Sequence, residues 1–263
     1  MSFDAKQAAV ALDTLRLTSA ISQLPAHLAP RTEAEGVAVQ HARAALLKSV
    51  PPGGFKIGAT ARKMQDYLGL RGPIAGFMAV EDLHPSGIAL CWADLRGPGV
   101  ECEIAVRLAQ DLPPGPCTPA QAAAAVSEVF AAIELVENRY GPPPAGDLTA
   151  IGVPTLIADQ VYHRAAILGP PAATWQHLDL AAISGRITIN GAERATGTGA
   201  DLLGHPMQAL AWLADSTTAH GFGGLRAGQV LMLGSVTPPI WLEGPCTVTV
   251  TFDHLSPAVL RII

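Results

Sequence analysis

Residues 100–107 read V-E-C-E-I-A-V-R, and no other stretch constrains the fold of this chain as strongly. Side chains of a strand alternate between two faces, so Glu101 and Glu103 share one face while Cys102 and Ile104 share the other. Further on, residues 131–139 read A-A-I-E-L-V-E-N-R and place Glu134 on the face opposite Ile133 and Leu135. Each acid stands among apolar neighbours that a folded chain buries. Clustered carboxylates in an apolar setting do not all stay ionised without a compensating cation. Three carboxylates with room for waters suit a hard divalent ion, Mg²⁺ or Mn²⁺. The spacing alone supports a second reading equally well, in which Glu101 and Glu103 line the wet face of an ordinary amphipathic strand.

Composition narrows the setting of those strands. Of the 263 residues, 49% are hydrophobic and 15% charged, which fits a packed globular enzyme rather than a disordered chain. A formal charge of −5 argues against nucleic acid or an acidic membrane surface as partner. No apolar run approaches the ~20 residues of a membrane span. Cys91, Cys102, Cys117 and Cys246 are scattered without a C-x-x-C pair and read as buried, reduced thiols. No basic region precedes an apolar block near Met1, so the expected location is cytoplasmic.

In chain order, residues 4–24 carry Ala, Leu and Ile at helical spacing until Pro25 and Pro30 break it. Thr32 and Glu35 form a capping-box signature for a second helix reaching about Lys48. The Pro-Pro-Gly-Gly turn at 51–54 divides an N-terminal helical segment, 1–51, from a main domain, 52–263. Lys56 lies in the apolar strand F-K-I-G, either as an edge guard or, if the strand meets a polar pocket, as a cation for an enolate or carboxylate. Residues 74–82 are apolar and then abruptly acidic at Glu81 and Asp82. Thr118 and Gln121 start a helix over 120–130 that leads straight to Glu134. Residues 141–146 form a proline-rich loop suited to a lid or rim. Asn190-Gly191 marks a two-residue hairpin turn. Gly197-Thr198-Gly199 precedes a helix over 206–220, where backbone N–H groups would meet an anion or simply make a tight turn. The downstream acid of a dinucleotide fold is missing, so nucleotide binding is rejected. Strands over 229–233 and 246–253 close the chain.

Six motifs in order (F-K-I-G, V-E-C-E-I-A, A-I-E-L-V-E-N-R, I-A-D, T-G-T-G-A-x-x-L-G-H-P and L-x-A-G-x-V-L-x-x-G-S-V-T) span roughly residues 50–250. Together they resemble the 2-keto-4-pentenoate hydratase and 4-oxalocrotonate decarboxylase group of the fumarylacetoacetate hydrolase superfamily. The resemblance implies an α+β fold, a mixed β-roll with surrounding helices. It implies a Mg²⁺ or Mn²⁺ site on Glu101, Glu103 and Glu134, a small 2-oxo acid substrate chelating the ion, and a homo-oligomer. Lys56 matches the family's active-site lysine and Asp159 its I-A-D motif. Ser235 and Thr237 fall on its glycine-serine substrate loop, and Gly199 falls in the T-G-T-G motif. The implied activity is that of a metal-dependent hydratase of 2-hydroxydienoic acids in the breakdown of aromatic compounds. A decarboxylase, a C–C hydrolase or a non-catalytic 2-oxo acid binder are the alternatives.

One departure touches the chemistry. The family's G-x-L-x-D aspartate aligns with Val80, and the nearest replacements are Glu81 and Asp82. In a strand Asp82 would share Val80's face and Glu81 would point away unless a bulge intervened.

Overall fold

The computed structural model describes residues 3–17, 23–140 and 148–263. Among them thirteen strands follow in order: β1 Gly54–Gly58, β2 Ile74–Met78, β3 Leu83–Pro85, β4 Ile88–Leu90, β5 Pro98–Leu108, β6 Val126–Glu137, β7 His163–Leu168, β8 Ser184–Ile189, β9 Ala192–Thr198, β10 Val230–Ser235, β11 Ile240–Trp241, β12 Cys246–Phe252 and β13 Ala258–Ile262. The larger sheet runs β2-β1-β10-β5-β6-β7-β3, with β11 beside β5. The smaller runs β4-β13-β12-β8-β9. β1 lies parallel to β10 and β3 to β7, whereas β5 pairs antiparallel with both β6 and β10.

The alternation in β5 and β6 decides which face is which. Val100, Cys102, Ile104 and Val106 join Val129, Ala131, Ile133 and Leu135 in the main core. Val248, Val250, Leu260 and Ile262 of the smaller sheet pack into that same core. The other face of the large sheet carries Glu101, Glu103, Ala105 and Arg107, in register with Glu134, Ala132, Phe130 and Glu128. A second, smaller apolar cluster (Met78, Ala105, Phe130, Ala132, Ala166, Val230, Met232) covers the middle of that face. Burying about 25 cal/mol per Å² of apolar surface on both faces gives the sheet the stability to hold charge between them.

Several local expectations are corrected. The helix expected over 120–130 stops early: Pro119–Ala124 is helical, capped by Thr118 and Gln121, and β6 begins at Val126. Pairing with β5 outweighs the helical propensity of the alanines. The helix over 206–220 is two, Pro206–Ala214 and Thr217–Gly221, because Ser216 caps a new start through Ala219 N–H. Residues 80–82 form a 3₁₀ turn, not a strand. Only Cys102 of the four cysteines is buried, and Cys91 is exposed; all four are unpaired. The proline-rich loop at 141–146 lies outside the described residues. Asn190-Gly191 makes the expected hairpin turn, with φ of 51° and 80°. No described helix is long and apolar enough to cross a membrane.

The N-terminal helices, Ala5–Leu17 and Glu33–Leu46, dock onto the elements that follow through buried polar groups. Gln40 donates to the carbonyls of Ala75 and Ile157 and accepts from Phe77 N–H. Asp159, fully buried at the end of helix Val153–Ala158, is the hub. Arg16 Nε donates to its Oδ1 at 2.8 Å and Arg139 Nη1 to its Oδ2 at 3.1 Å. Arg16 and Arg43 also donate to Gln160 Oε1. Burial opposes the charge on Asp159, but Arg139, Arg16 and Arg43 outweigh it and hold the carboxyl below its usual range. A depressed carboxyl pKa stabilises the fold above the unfolded value and loses that contribution as pH falls through the folded one. Replacing Asp159 with Ala leaves two buried guanidiniums without their main partner, at a cost of about 3–5 kcal/mol. Thermal unfolding followed against pH is expected to show a large drop in stability at neutral pH. It is also expected to show a flatter acid arm than the unaltered protein, and an unchanged profile would contradict this.

Candidate metal centre

The antiparallel register sets Glu101 directly opposite Glu134 and Glu103 opposite Ala132. Ala132 leaves room beside Glu103. On its other side Glu103 pairs with Ser235, after an irregularity in β10 between Met232 and Ser235. Gly234 makes that bulge at φ 105°, where a Cβ would lie 2.5 Å from Thr60 Cγ2. The bulge aims Gly234 N–H at Glu103 Oε2, 3.0 Å away. Lys56 reaches the same face from β1 and puts Nζ 3.1 Å from Glu134 Oε1. The lysine is buried within the sheet and is no edge guard.

Glu103 and Glu134 are fully buried, and each is half satisfied. One oxygen of each meets protein donors: Oε2 of Glu103 and Oε1 of Glu134. The others, Glu103 Oε1 and Glu134 Oε2, are buried with no hydrogen-bond partner. Carboxylate oxygens of Glu101, Glu103 and Glu134 lie within 4.8 Å of one another. An orphaned buried carboxylate oxygen costs about 1–3 kcal/mol or more, so two of them pointing into one cluster call for a cation.

The charge balance agrees. Burial, then the charge on Glu134, pushes Glu101 up to about 8. Burial, then Glu134 and Glu101, hold Glu103 well above the usual carboxylate range. For Glu134 burial acts upward too, but Lys56 and His163 outweigh it and the carboxyl is lowered. Burial works against the Lys56 ammonium, while Glu134, Glu101 and Glu103 overcome it and raise its pKa. Three carboxylates and one ammonium are neutral only with protons on board or with a doubly charged ion in their place. All-oxygen donors of this kind fit a hard cation such as Mg²⁺ or Mn²⁺.

The other expected site residues separate into those beside the cluster and those away from it. Val80 and Glu81 face solvent in the 3₁₀ turn. Asp82 turns inward, held by Ala79 N–H at 3.1 Å, with Oδ2 4.0 Å from His163 Nε2. Ser235 Oγ donates to the Cys102 carbonyl, and Thr237 N–H donates back to Ser235 Oγ, so both edge the Glu103 side. Gly199 is not brought to the cluster. Its N–H donates to Ile183 and a Cβ would sit 1.7 Å from the Leu180 carbonyl oxygen, so close packing explains the glycine. Asp159 is spent on arginines and touches the site only through the next residues. Gln160, Val161 and Tyr162 all have positive φ, and this strained run brings the Val161 carbonyl to 3.4 Å from Lys56 Nζ. Gly76 admits it, since a Cβ there would be 3.0 Å from Gln160 Cα.

The sequence reading missed His163, whose Nδ1 is 2.8 Å from Glu134 Oε1. A lone histidine opening an apolar run carries no signal until the pairing of β6 with β7 is known. At the far end of the same sheet face lies a cavity of about 640 Å³, lined by Leu83, Phe130, Leu168 and Val230 among others. Its charges, Arg107 and Glu128, are paired with each other at 2.7 Å, so it offers no cation site.

Comparison with known proteins points to one family. Residues 74–262 match the fumarylacetoacetate (FAA) hydrolase C-terminal family model. The chain is 32% identical to 2-hydroxyhexa-2,4-dienoate hydratase of Comamonas testosteroni, over 70% of this chain and 68% of the relative. It is 31% identical to 2-keto-4-pentenoate hydratase of Burkholderia vietnamiensis, over 77% and 75%. A solved structure of 4-oxalocrotonate decarboxylase from Pseudomonas putida G7, complexed with magnesium and adipate, superposes with a TM-score of 0.87. The identity there is 25%, over 98% of this chain and 97% of that one. The hairpin that buries Glu101, Glu103 and Glu134 lies inside the matched region, and the chain belongs to the fumarylacetoacetate hydrolase family.

Proposed function

We propose that this protein is a divalent-metal-dependent hydro-lyase that adds water to a small 2-hydroxydienoic acid, as in the breakdown of aromatic compounds. The observation that carries the reading is the pair of orphaned oxygens, Glu103 Oε1 and Glu134 Oε2, in a buried cluster with Glu101. The hydratase relatives and the magnesium complex of the decarboxylase support it. These three glutamates would hold Mg²⁺ or Mn²⁺, which when bound supplies Lewis acidity and a template for two substrate oxygens.

The chain's own residues then do the following. Lys56 keeps an ammonium beside the carboxylates and attracts an anionic substrate oxygen. Since Nζ is already committed to Glu134 Oε1 and the Val161 carbonyl, it acts as a charge, not as a Schiff-base nucleophile. Thr237 offers its hydroxyl at the Glu103 edge for the substrate carboxylate, and Ser235, whose hydroxyl is given to the Cys102 carbonyl, holds Thr237 in place by accepting its N–H. Asp82, partly exposed and turned inward, takes the part of the missing aspartate at Val80 and moves the proton at the remote carbon. Glu81, turned to solvent, has no such part. Loss of CO₂ from a β-positioned carboxylate is the second reading, favoured by the fit to the decarboxylase over nearly the whole chain. Four unpaired cysteines suit a reducing cytoplasm, and assembly of several copies follows the family.

Incubation with 2-hydroxypentadienoate and Mg²⁺ or Mn²⁺ is expected to consume the dienoate by hydration. Release of CO₂ from a 2-oxo dicarboxylate without hydration would favour the second reading. Substituting Glu103 with Gln is expected to remove most Mn²⁺ affinity in calorimetry while thermal unfolding stays cooperative; unchanged affinity would refute the metal site. Changing Asp82 to Asn is expected to lower turnover about 10²–10⁴-fold, the usual loss of a placed acid or base. Fast hydration indifferent to that change would remove Asp82 from the mechanism.

A further inference from the structure

His163 is a buried polar side chain to which the mechanism above gives no part. It opens β7 with no exposure, and its Nδ1 lies 2.8 Å from Glu134 Oε1. An ionised carboxylate only accepts, so Nδ1 carries the hydrogen and donates. Its Nε2 has no partner, and Asp82 Oδ2 at 4.0 Å is beyond hydrogen-bond reach.

Two donors therefore converge on one oxygen of Glu134, His163 Nδ1 from β7 and Lys56 Nζ from β1. They are not equivalent. Lysine is a rotating ammonium on a flexible stem, which supplies charge but little direction. The imidazole is planar, with its N–H direction fixed by a ring that burial locks in place. Its backbone is tethered too: Arg139 Nη2 donates to the His163 carbonyl at 2.9 Å, and Arg139 is held by Asp159. The rigid donor fixes which oxygen of Glu134 is occupied and in what plane, and Oε2 is the one left with no donor.

We propose that His163 is a positioning residue of the metal centre: its Nδ1–H holds Oε1 of Glu134 so that Oε2 stays free for a divalent cation. This rests on the metal-dependent reading above and assigns it a part outside the three carboxylates. Groups that orient a metal ligand typically contribute 10- to 100-fold in affinity.

The test is Mn²⁺ calorimetry on the full chain, set beside thermal unfolding of the metal-free protein. In H163L, a side chain of similar bulk without the donor, Mn²⁺ binding is expected to weaken about 10- to 100-fold. In H163N, whose amide nitrogen stands near the place of Nδ1, most of that loss is expected to return. In H163Q, which reaches toward the place of Nε2, it is not. A purely structural histidine would shift the unfolding temperature in all three and leave the order of affinities flat. If H163L does not fold, H163N against H163Q decides, and equal affinities overturn the proposal. E103Q separates the two levels. Loss of binding in E103Q with full affinity in H163L overturns only the role of His163. Full affinity in E103Q overturns the metal centre and the role of His163 with it.

Discussion

The burial of Glu103 and Glu134 on one face of the β5–β6 hairpin is the constraint around which the surrounding structure is arranged. Two carboxylates fully withdrawn from water are costly unless charge and hydrogen bonds compensate them. The chain answers with Lys56 from β1, Gly234 N–H from a bulge in β10, and His163 from β7. Each compensating group comes from a different strand of the large sheet, so the site exists only once the sheet is complete. The compensation also stops short, leaving one oxygen on each acid without a donor. That shortfall is what a cation would fill.

A second layer keeps the first in place. The left-handed run at 160–162 offers its Val161 carbonyl to Lys56, and it begins where Asp159 gathers Arg16 and Arg139. Arg139 in turn holds the carbonyl of His163. The N-terminal helix Ala5–Leu17, which carries no chemistry of its own, thus reaches Glu134 through Arg16, Asp159, Arg139 and His163.

Period-two alternation made the hairpin faces readable from sequence, because Glu101, Glu103 and Glu134 each interrupt an apolar rhythm. The Asn190-Gly191 turn was equally plain, since it requires positive φ at both positions. What stayed hidden depends on contacts between distant segments. Nothing local separates His163 from an ordinary core histidine, or shows that Asp159 pairs with Arg16 and Arg139. Residues 80–82 form a 3₁₀ turn where a strand was expected, so Val80 and Glu81 both face solvent while Asp82, as expected, turns toward the site. Alanine-rich residues 120–130 looked helical because their pairing with β5 is invisible locally. Gly199 gives its N–H to the Ile183 carbonyl and lies tight against the Leu180 carbonyl, a close approach that only packing reveals.

The most direct test of the central claim is a crystal soaked in Mn²⁺ and oxalate, with diffraction recorded at the manganese absorption edge. The account predicts one strong anomalous peak bonded to Glu103 Oε1 and Glu134 Oε2 and to Glu101, with oxalate on its open side and Lys56 still on Glu134 Oε1. No peak among these carboxylates, or a manganese held elsewhere on the protein, would contradict it.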